Sequence, residues 1–99
     1  MQGYDDNSSA DLDTRRRRAR FRSWHRGMRE ADLILGGFAD DRIEALNAGE
    51  LDQYEALLKV PDGDFLAWVT GEKPVPPAFD TPLFRSIRDK STALTSRSR

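Results

Sequence analysis

The stretch Arg29-Glu30-Ala31-Asp32-Leu33-Ile34-Leu35-Gly36-Gly37-Phe38 decides the fold class. Its residues Ala31, Ile34, Leu35 and Phe38 recur at i, i+3, i+4 and i+7, the spacing that lines one face of an α-helix, and no β-branched alternation competes with it. The spacing predicts a helix over 29–38, with Gly36 and Gly37 loosening its end. On the N-terminal side, a first helix is expected to start at Asp13 or Thr14, either of which can serve as N-cap, and to run through Arg15–His25. Phe21, Trp24 and Met28 should lean inward from it, and Gly27 should end it. On the C-terminal side, 40–46 reads as a short third helix, with Asp41 and Glu44 spaced as a capping box. Asn47 and Glu50 repeat the box at the start of a fourth helix reaching Lys59, with Leu51, Tyr54, Leu57 and Leu58 on one face. A fifth helix, 63–70, is expected to be capped by Asp62, to bury Phe65, Trp68 and Val69, and to end at Gly71. Pro74, Pro76 and Pro77 forbid its continuation, and Thr81 and Pro82 open one last turn carrying Leu83, Phe84 and Ile87. The reading is all-α: a compact five-helix bundle over 13–90, its links too short for anything but sequential packing, between disordered tails at 1–12 and 91–99.

Composition sets the outer bounds. Ninety-nine residues, 37% hydrophobic and 33% charged, suffice for one small domain with its own core. With no cysteine and one histidine, disulfides, thiolate metal sites, thiol nucleophiles and polyhistidine centres are all excluded. The lack of cysteine suits a reducing, intracellular compartment. No apolar run approaches the roughly 20 residues that span a bilayer, and the acidic start (Asp5, Asp6, Asp11, Asp13) does not read as a signal peptide. The expectation is a soluble, unprocessed, intracellular chain that does not engage a membrane.

The net charge of −1 conceals a segregation. Residues 15–29 carry eight arginines (15, 16, 17, 18, 20, 22, 26 and 29) and no acid, whereas residues 30–80 carry twelve acids against three bases. A basic stripe therefore adjoins an acidic body. Nothing in this inventory assembles a catalytic centre: His25 has no serine cluster beside it, and the pairs Asp40–Asp41 and Asp62–Asp64 sit where helix starts need acids as caps. Gly36–Gly37 follows a helix rather than a strand and lacks the spaced glycines and lysine of a phosphate loop. His25, at a basic helix end, reads as a surface or C-terminal capping group. The arginine run admits two readings. It is either a solvated helix face supported by nearby acids, or the footprint of a small Arg-rich helical nucleic-acid-binding protein. No helix-turn-helix, zinc or RNA-binding aromatic pattern accompanies it, and the acidic body opposes a phosphate backbone, so nucleic acid is not the expected partner.

The segment Arg26-Gly27-Met28-Arg29-Glu30 places a glycine between two helices, flanked by long charged side chains expected to point away from the bundle. Together with Ala31-Asp32-Leu33-Ile34-Leu35, Phe38, the helix Tyr54-Glu55-Ala56-Leu57-Leu58, the Asp62 turn and Phe65-Leu66-Ala67-Trp68-Val69, it resembles the SdhE family over residues 17–71. Members of that family are assembly factors for succinate dehydrogenase that carry an RGxxE motif and promote flavinylation. The resemblance implies a cytoplasmic, bacterial, monomeric five-helix bundle that is not itself an enzyme. Such a protein binds the flavoprotein subunit of succinate dehydrogenase, and of fumarate reductase as a further client, and promotes covalent attachment of FAD to it. The resemblance implies no stably bound cofactor, the FAD being the client's, and no metal. It assigns client binding to Arg26, Gly27, Met28, Arg29 and Glu30, with His25 and Asp32 beside them. His25 stands where many members carry a second arginine.

Overall fold

The computed structural model describes the backbone of residues 4–97 and the side chains of residues 11–92. Five α-helices follow one another: α1 (Tyr4–Ser23), α2 (Arg29–Arg42), α3 (Ala48–Leu58), α4 (Asp62–Thr70) and α5 (Pro82–Arg97), with single 3₁₀ turns at Ile43–Ala45 and Pro77–Phe79. No strand occurs among the described residues. The all-α expectation holds with the expected number of helices, but they are not the same five.

The difference starts at Gly36. Rather than fraying there, α2 continues to Arg42, because the Trp24 indole lies flat against the helix at Gly36, where a Cβ would overlap the ring. The absent side chain is a socket for the tryptophan, and the packing gained outweighs the low helix propensity of glycine. Asp40 and Asp41 therefore sit in the last turn of α2 and open no helix of their own. The expected Asp41–Glu44 capping box does not form, and Ile43–Ala45 is a 3₁₀ turn without a side-chain cap. Both aspartates reach across to neighbouring helices. Asp40 Oδ1 accepts from Trp24 Nε1 at 3.2 Å and from Arg20 Nε at 2.8 Å, and Asp41 pairs with Lys90 of α5 at 3.1 Å. The indole N–H, and after it the Arg20 guanidinium, hold the Asp40 carboxyl below its usual range. Gly36→Ala is expected to lower stability by about 1–3 kcal/mol through overpacking. Thermal unfolding measures the loss, and adding Trp24→Ala should make the Gly36→Ala change nearly neutral.

Other boundaries move as well. α1 begins at Tyr4, ahead of the expected cap at Asp13 or Thr14, and α5 is a full helix where one turn was expected. Helical backbone thus enters both segments read as tails, while the remainder of those two expectations lies outside the described residues. Thr81 Oγ1 caps α5 by accepting from the Phe84 amide at 3.1 Å, with Pro82 in the first helical position. The Asn47–Glu50 capping box of α3 forms reciprocally, at 2.8 and 3.0 Å. Gly71 closes α4 at φ +84°. Asp62 is the first residue of α4, and Pro61 rather than Asp62 occupies its N-cap.

The core is built from Leu35, Phe38, Ile43, Leu46, Leu51, Tyr54, Leu57, Phe65, Phe84 and Ile87, all essentially inaccessible. The Phe38 and Tyr54 rings stack at 5.9 Å, and Phe65 meets Phe84 edge-on at 6.4 Å. Trp68 is half-buried rather than central, lying against Phe79 and Phe84 beside a groove between α3, α4 and the proline-rich link. Where α1, α2 and α3 meet, the Tyr54 hydroxyl donates to the Leu35 carbonyl at 2.9 Å and lies 2.5 Å from Ser23 Oγ, which is 2.7 Å from the Ala19 carbonyl. Burial raises the Tyr54 pKa well above its ordinary value, so the phenol stays neutral.

Candidate functional site

α1 ends with tightened turns: the Trp24 and His25 amides donate to the carbonyls of Phe21 and Arg22 at 3.1 and 3.2 Å. The chain then reverses through Gly27, whose φ of +113° is a conformation that side-chain-bearing residues rarely adopt. Met28 is extended and precedes the first residue of α2 without offering a side-chain cap. Asp32, in the first turn of α2, instead braces the corner, its Oδ1 reaching back to accept from the Arg26 amide at 2.9 Å.

Arg26 is where the structure departs most from the sequence reading. Its side chain points into the bundle, only 8% exposed. Nε donates to Asp62 Oδ1 at 2.5 Å, Nη1 donates to the Leu58 carbonyl at 2.6 Å, and Nη2 donates to the Val60 carbonyl. A guanidinium suits this place because it offers several N–H groups in one plane. The carbonyls around the C-terminus of α3 carry partial negative charge, and Asp62 adds a full one. Arg26 therefore fastens the α1–α2 corner to the α3–α4 link and does not project toward a partner.

Of the seven residues singled out for client binding, the structure brings two into the scaffold and leaves five on the surface. Arg26 and Asp32 hold the corner. His25, Gly27, Met28, Arg29 and Glu30 are exposed, and Arg29 and Glu30 have no ion-pair partner among the described residues. His25 Nδ1 donates to the Phe21 carbonyl at 2.7 Å, the C-terminal capping role expected of it, and its ring stacks on Phe21 at 4.0 Å. Beside the corner, Arg22, His25, Arg26, Leu58, Pro61 and Asp62 line a polar notch of about 330 Å³.

Phe21 and Met28 were expected to face inward, and both face out. Phe21 is 63% exposed, Met28 39%, and Leu33 on α2 47%; these are the large exposed hydrophobic side chains among the described residues, and all lie between positions 21 and 33. The spacing of Phe21 fails as an inward signal because the buried face of α1 is defined by Ala19 and Ser23, too small to register in a hydrophobic pattern. Among the described residues no group of histidine and carboxylate side chains could hold a metal ion, and no helix is long and apolar enough to cross a membrane.

The arginine run divides by function. Arg15 bonds Glu55 through both Nε (3.1 Å) and Nη2 (2.8 Å) and Asp52 at 2.5 Å, Arg16 donates to the Leu46 carbonyl at 2.8 Å, and Arg20 pairs with Asp40. These tie α1 to the acidic body, as the reading of a helix face supported by nearby acids expects. Arg17, Arg18 and Arg22 remain exposed, with no ion-pair partner among the described residues.

Residues 17–91 match the family model for the flavinator of succinate dehydrogenase. The FAD assembly factor SdhE of Acetobacter pasteurianus is 37% identical over 81 residues, covering 82% of this chain and 74% of that protein. The mitochondrial succinate dehydrogenase assembly factor 2-B of Drosophila melanogaster is 36% identical over 80 residues, or 79% of this chain and 51% of the fly protein. Mitochondrial succinate dehydrogenase assembly factor 2 of Dictyostelium discoideum is 33% identical over 82 residues, covering 83% of this chain and 58% of its own length. The chain thus spans little more than half the length of these mitochondrial relatives.

Proposed function

We propose, from the premise that this chain belongs to the family of flavinators of succinate dehydrogenase, that it binds the flavoprotein subunit of that enzyme and promotes covalent attachment of FAD to it. The reading extends to the flavoprotein of fumarate reductase as a second client. The chain acts as a monomer and without a cofactor of its own, the flavin being cargo that belongs to the client. It contributes no reacting group. Its effect on the rate comes from binding most tightly the client conformation in which the flavin and its acceptor side chain are aligned.

The observation that carries this reading is the contrast within the corner. Gly27, Met28, Arg29 and Glu30 are free at the surface, while Arg26 and Asp32 on either side are locked into the scaffold. A loop held in one shape before contact loses little entropy on docking, so its charge-assisted hydrogen bonds count nearly in full toward affinity. Gly27 keeps the backbone accessible, Arg29 offers donors, and Glu30 offers an acceptor beside the N-terminus of α2.

Glu30→Ala separates folding from docking. Glu30 is exposed in the first turn of α2, where the helix dipole makes an acid worth about 0.3–1 kcal/mol, so the bundle should survive its loss. Flavin attached to the client subunit, read as fluorescence that persists after denaturation, should fall sharply when wild type and variant are compared at equal folded concentration. Flavin attachment at the wild-type rate would show that the corner is only a turn.

A further inference from the structure

Arg18, Phe21 and Arg22 stand at i, i+3 and i+4 on the exposed side of α1, away from the face buried through Ala19 and Ser23, and His25 follows just past the last residue of the helix. All four are exposed. The two arginines have no ion-pair partner among the described residues, although Arg15, Arg16 and Arg20 of the same helix are engaged by Glu55, Asp52, Asp13, Asp40 and the Leu46 carbonyl. In the middle of the stripe, Phe21 holds its ring in place by stacking on His25, which is itself bonded to the Phe21 carbonyl. The stripe ends at the corner. Met28 and Leu33, the other exposed large hydrophobic residues described, follow in the corner and on α2. An exposed aromatic fixed in one orientation and bordered by unpaired arginines has the composition of an interface anchor rather than of a solvated helix.

We infer that the outer stripe of α1, Arg18–Phe21–Arg22, with His25 stacked on it from just past the helix end, is a second half of the client-docking surface, and that it receives an acidic patch of the flavoprotein with an apolar recess for the Phe21 ring. The inference rests on the docking reading above and adds to it a second element and the chemistry of the facing surface. Charge argues for a protein partner over a nucleic acid. Glu30 lies in the adjoining corner, and the body beyond it is acidic, so a polyphosphate tracking along α1 would run toward like charge, whereas a local cluster of carboxylates meets only the stripe. Arginines at the edge of such a contact chiefly speed encounter, and the buried aromatic slows release.

The test uses the full chain and the flavin-free flavoprotein subunit of succinate dehydrogenase, with association and dissociation rates measured at low and at physiological ionic strength. The double variant Arg18→Glu/Arg22→Glu should associate about tenfold or more slowly at low salt, and its rate should lose most of the wild-type salt dependence. Phe21→Ser should dissociate faster with little change in association. Lys73→Glu/Arg85→Glu, at two exposed residues outside α1 and the corner, makes the same change in net charge as the double stripe variant and should bind as wild type does. The inference is overturned if the stripe variants keep wild-type rates and salt response while Glu30→Ala weakens binding, in which case the corner reading survives alone. It is equally overturned if the double variant loses duplex DNA bound tighter than the roughly 10⁻⁴ to 10⁻⁶ M of non-specific contact yet retains the client. A wild-type chain that fails to bind the subunit removes the docking reading, and this extension with it. Unchanged melting temperatures for the stripe variants exclude misfolding as the cause of weak binding.

Discussion

Gly27→Arg is expected to reduce covalent flavin attachment on the succinate dehydrogenase flavoprotein by more than about tenfold, the consequence of losing 1.4 kcal/mol or more of docking energy, while most of the protein stays folded. Two effects of the substitution separate cleanly. At φ +113° any side chain strains the backbone, at about 1–3 kcal/mol. That is a serious fraction of the roughly 5–15 kcal/mol that holds a domain together, but it need not exhaust it. There is no clash within the chain, since nothing lies within 4 Å of where a Cβ would sit. In the proposed docking that open space is where the client comes close, so the guanidinium and its stem would occupy the docking position itself. Gly27→Ala carries the same backbone strain with almost none of the bulk. The expected order is therefore wild type, then Gly27→Ala with a modest loss, then Gly27→Arg with attachment nearly abolished, at equal folded concentration. If the two variants are equally impaired, strain in the corner rather than occlusion is responsible, and the close approach of the client at Gly27 is refuted.

Arg26→Ala should be the most destabilising single change in the corner, lowering the unfolding free energy by about 3–5 kcal/mol, as expected when one partner of a buried ion pair is removed. The carboxylate of Asp62, 17% exposed, would lose its counter-charge, and the carbonyls of Leu58 and Val60 would lose their donors at the same time. Arg26→Lys should recover only part of the loss, because one ammonium cannot serve three acceptors spread around a planar fork. Urea denaturation of the three proteins measures the effect, and a loss under about 1 kcal/mol for Arg26→Ala would contradict the role assigned to the clamp. This variant should also lose flavin-attachment activity, but through a shrunken folded population. That distinguishes it from Glu30→Ala, which should lose activity while remaining folded.

What the sequence made legible follows from the range of each interaction. The capping box of Asn47 and Glu50, the left-handed Gly71, and the prolines after α4 act within a few residues, and each sits where local chemistry puts it. The apolar faces of α3 and α4 follow from spacing alone, down to the burial of Tyr54 and Phe65. Gly36 and Asp41 were misread because their partners are remote. Propensity sees a weak point in a helix, whereas the fold has a tryptophan from the turn after the preceding helix filling it. The same holds for the corner proposed as the site: the reversal at Gly27 was readable from the sequence and its client-binding role was an implication of the resemblance, but the inward turn of Arg26 depends on carbonyls and a carboxylate more than thirty positions later. Nothing near Arg26 in the chain distinguishes a clamp from a free cation.

That separation of 36 residues between Arg26 and Asp62 sets an order of events during synthesis. The residues of the corner leave the ribosome well before the α3–α4 link, and until the link arrives Arg26 has nothing to fasten onto. A nascent chain that ends short of Asp62 carries Gly27, Arg29 and Glu30 without the shape that presents them, because a contact this distant in sequence forms only after the intervening helices have closed the loop. The surface proposed to meet a client is thus assembled by the same step that completes the fold. On that proposal, truncated or half-made copies lack the shape needed to occupy client molecules that only a finished chain could help to mature.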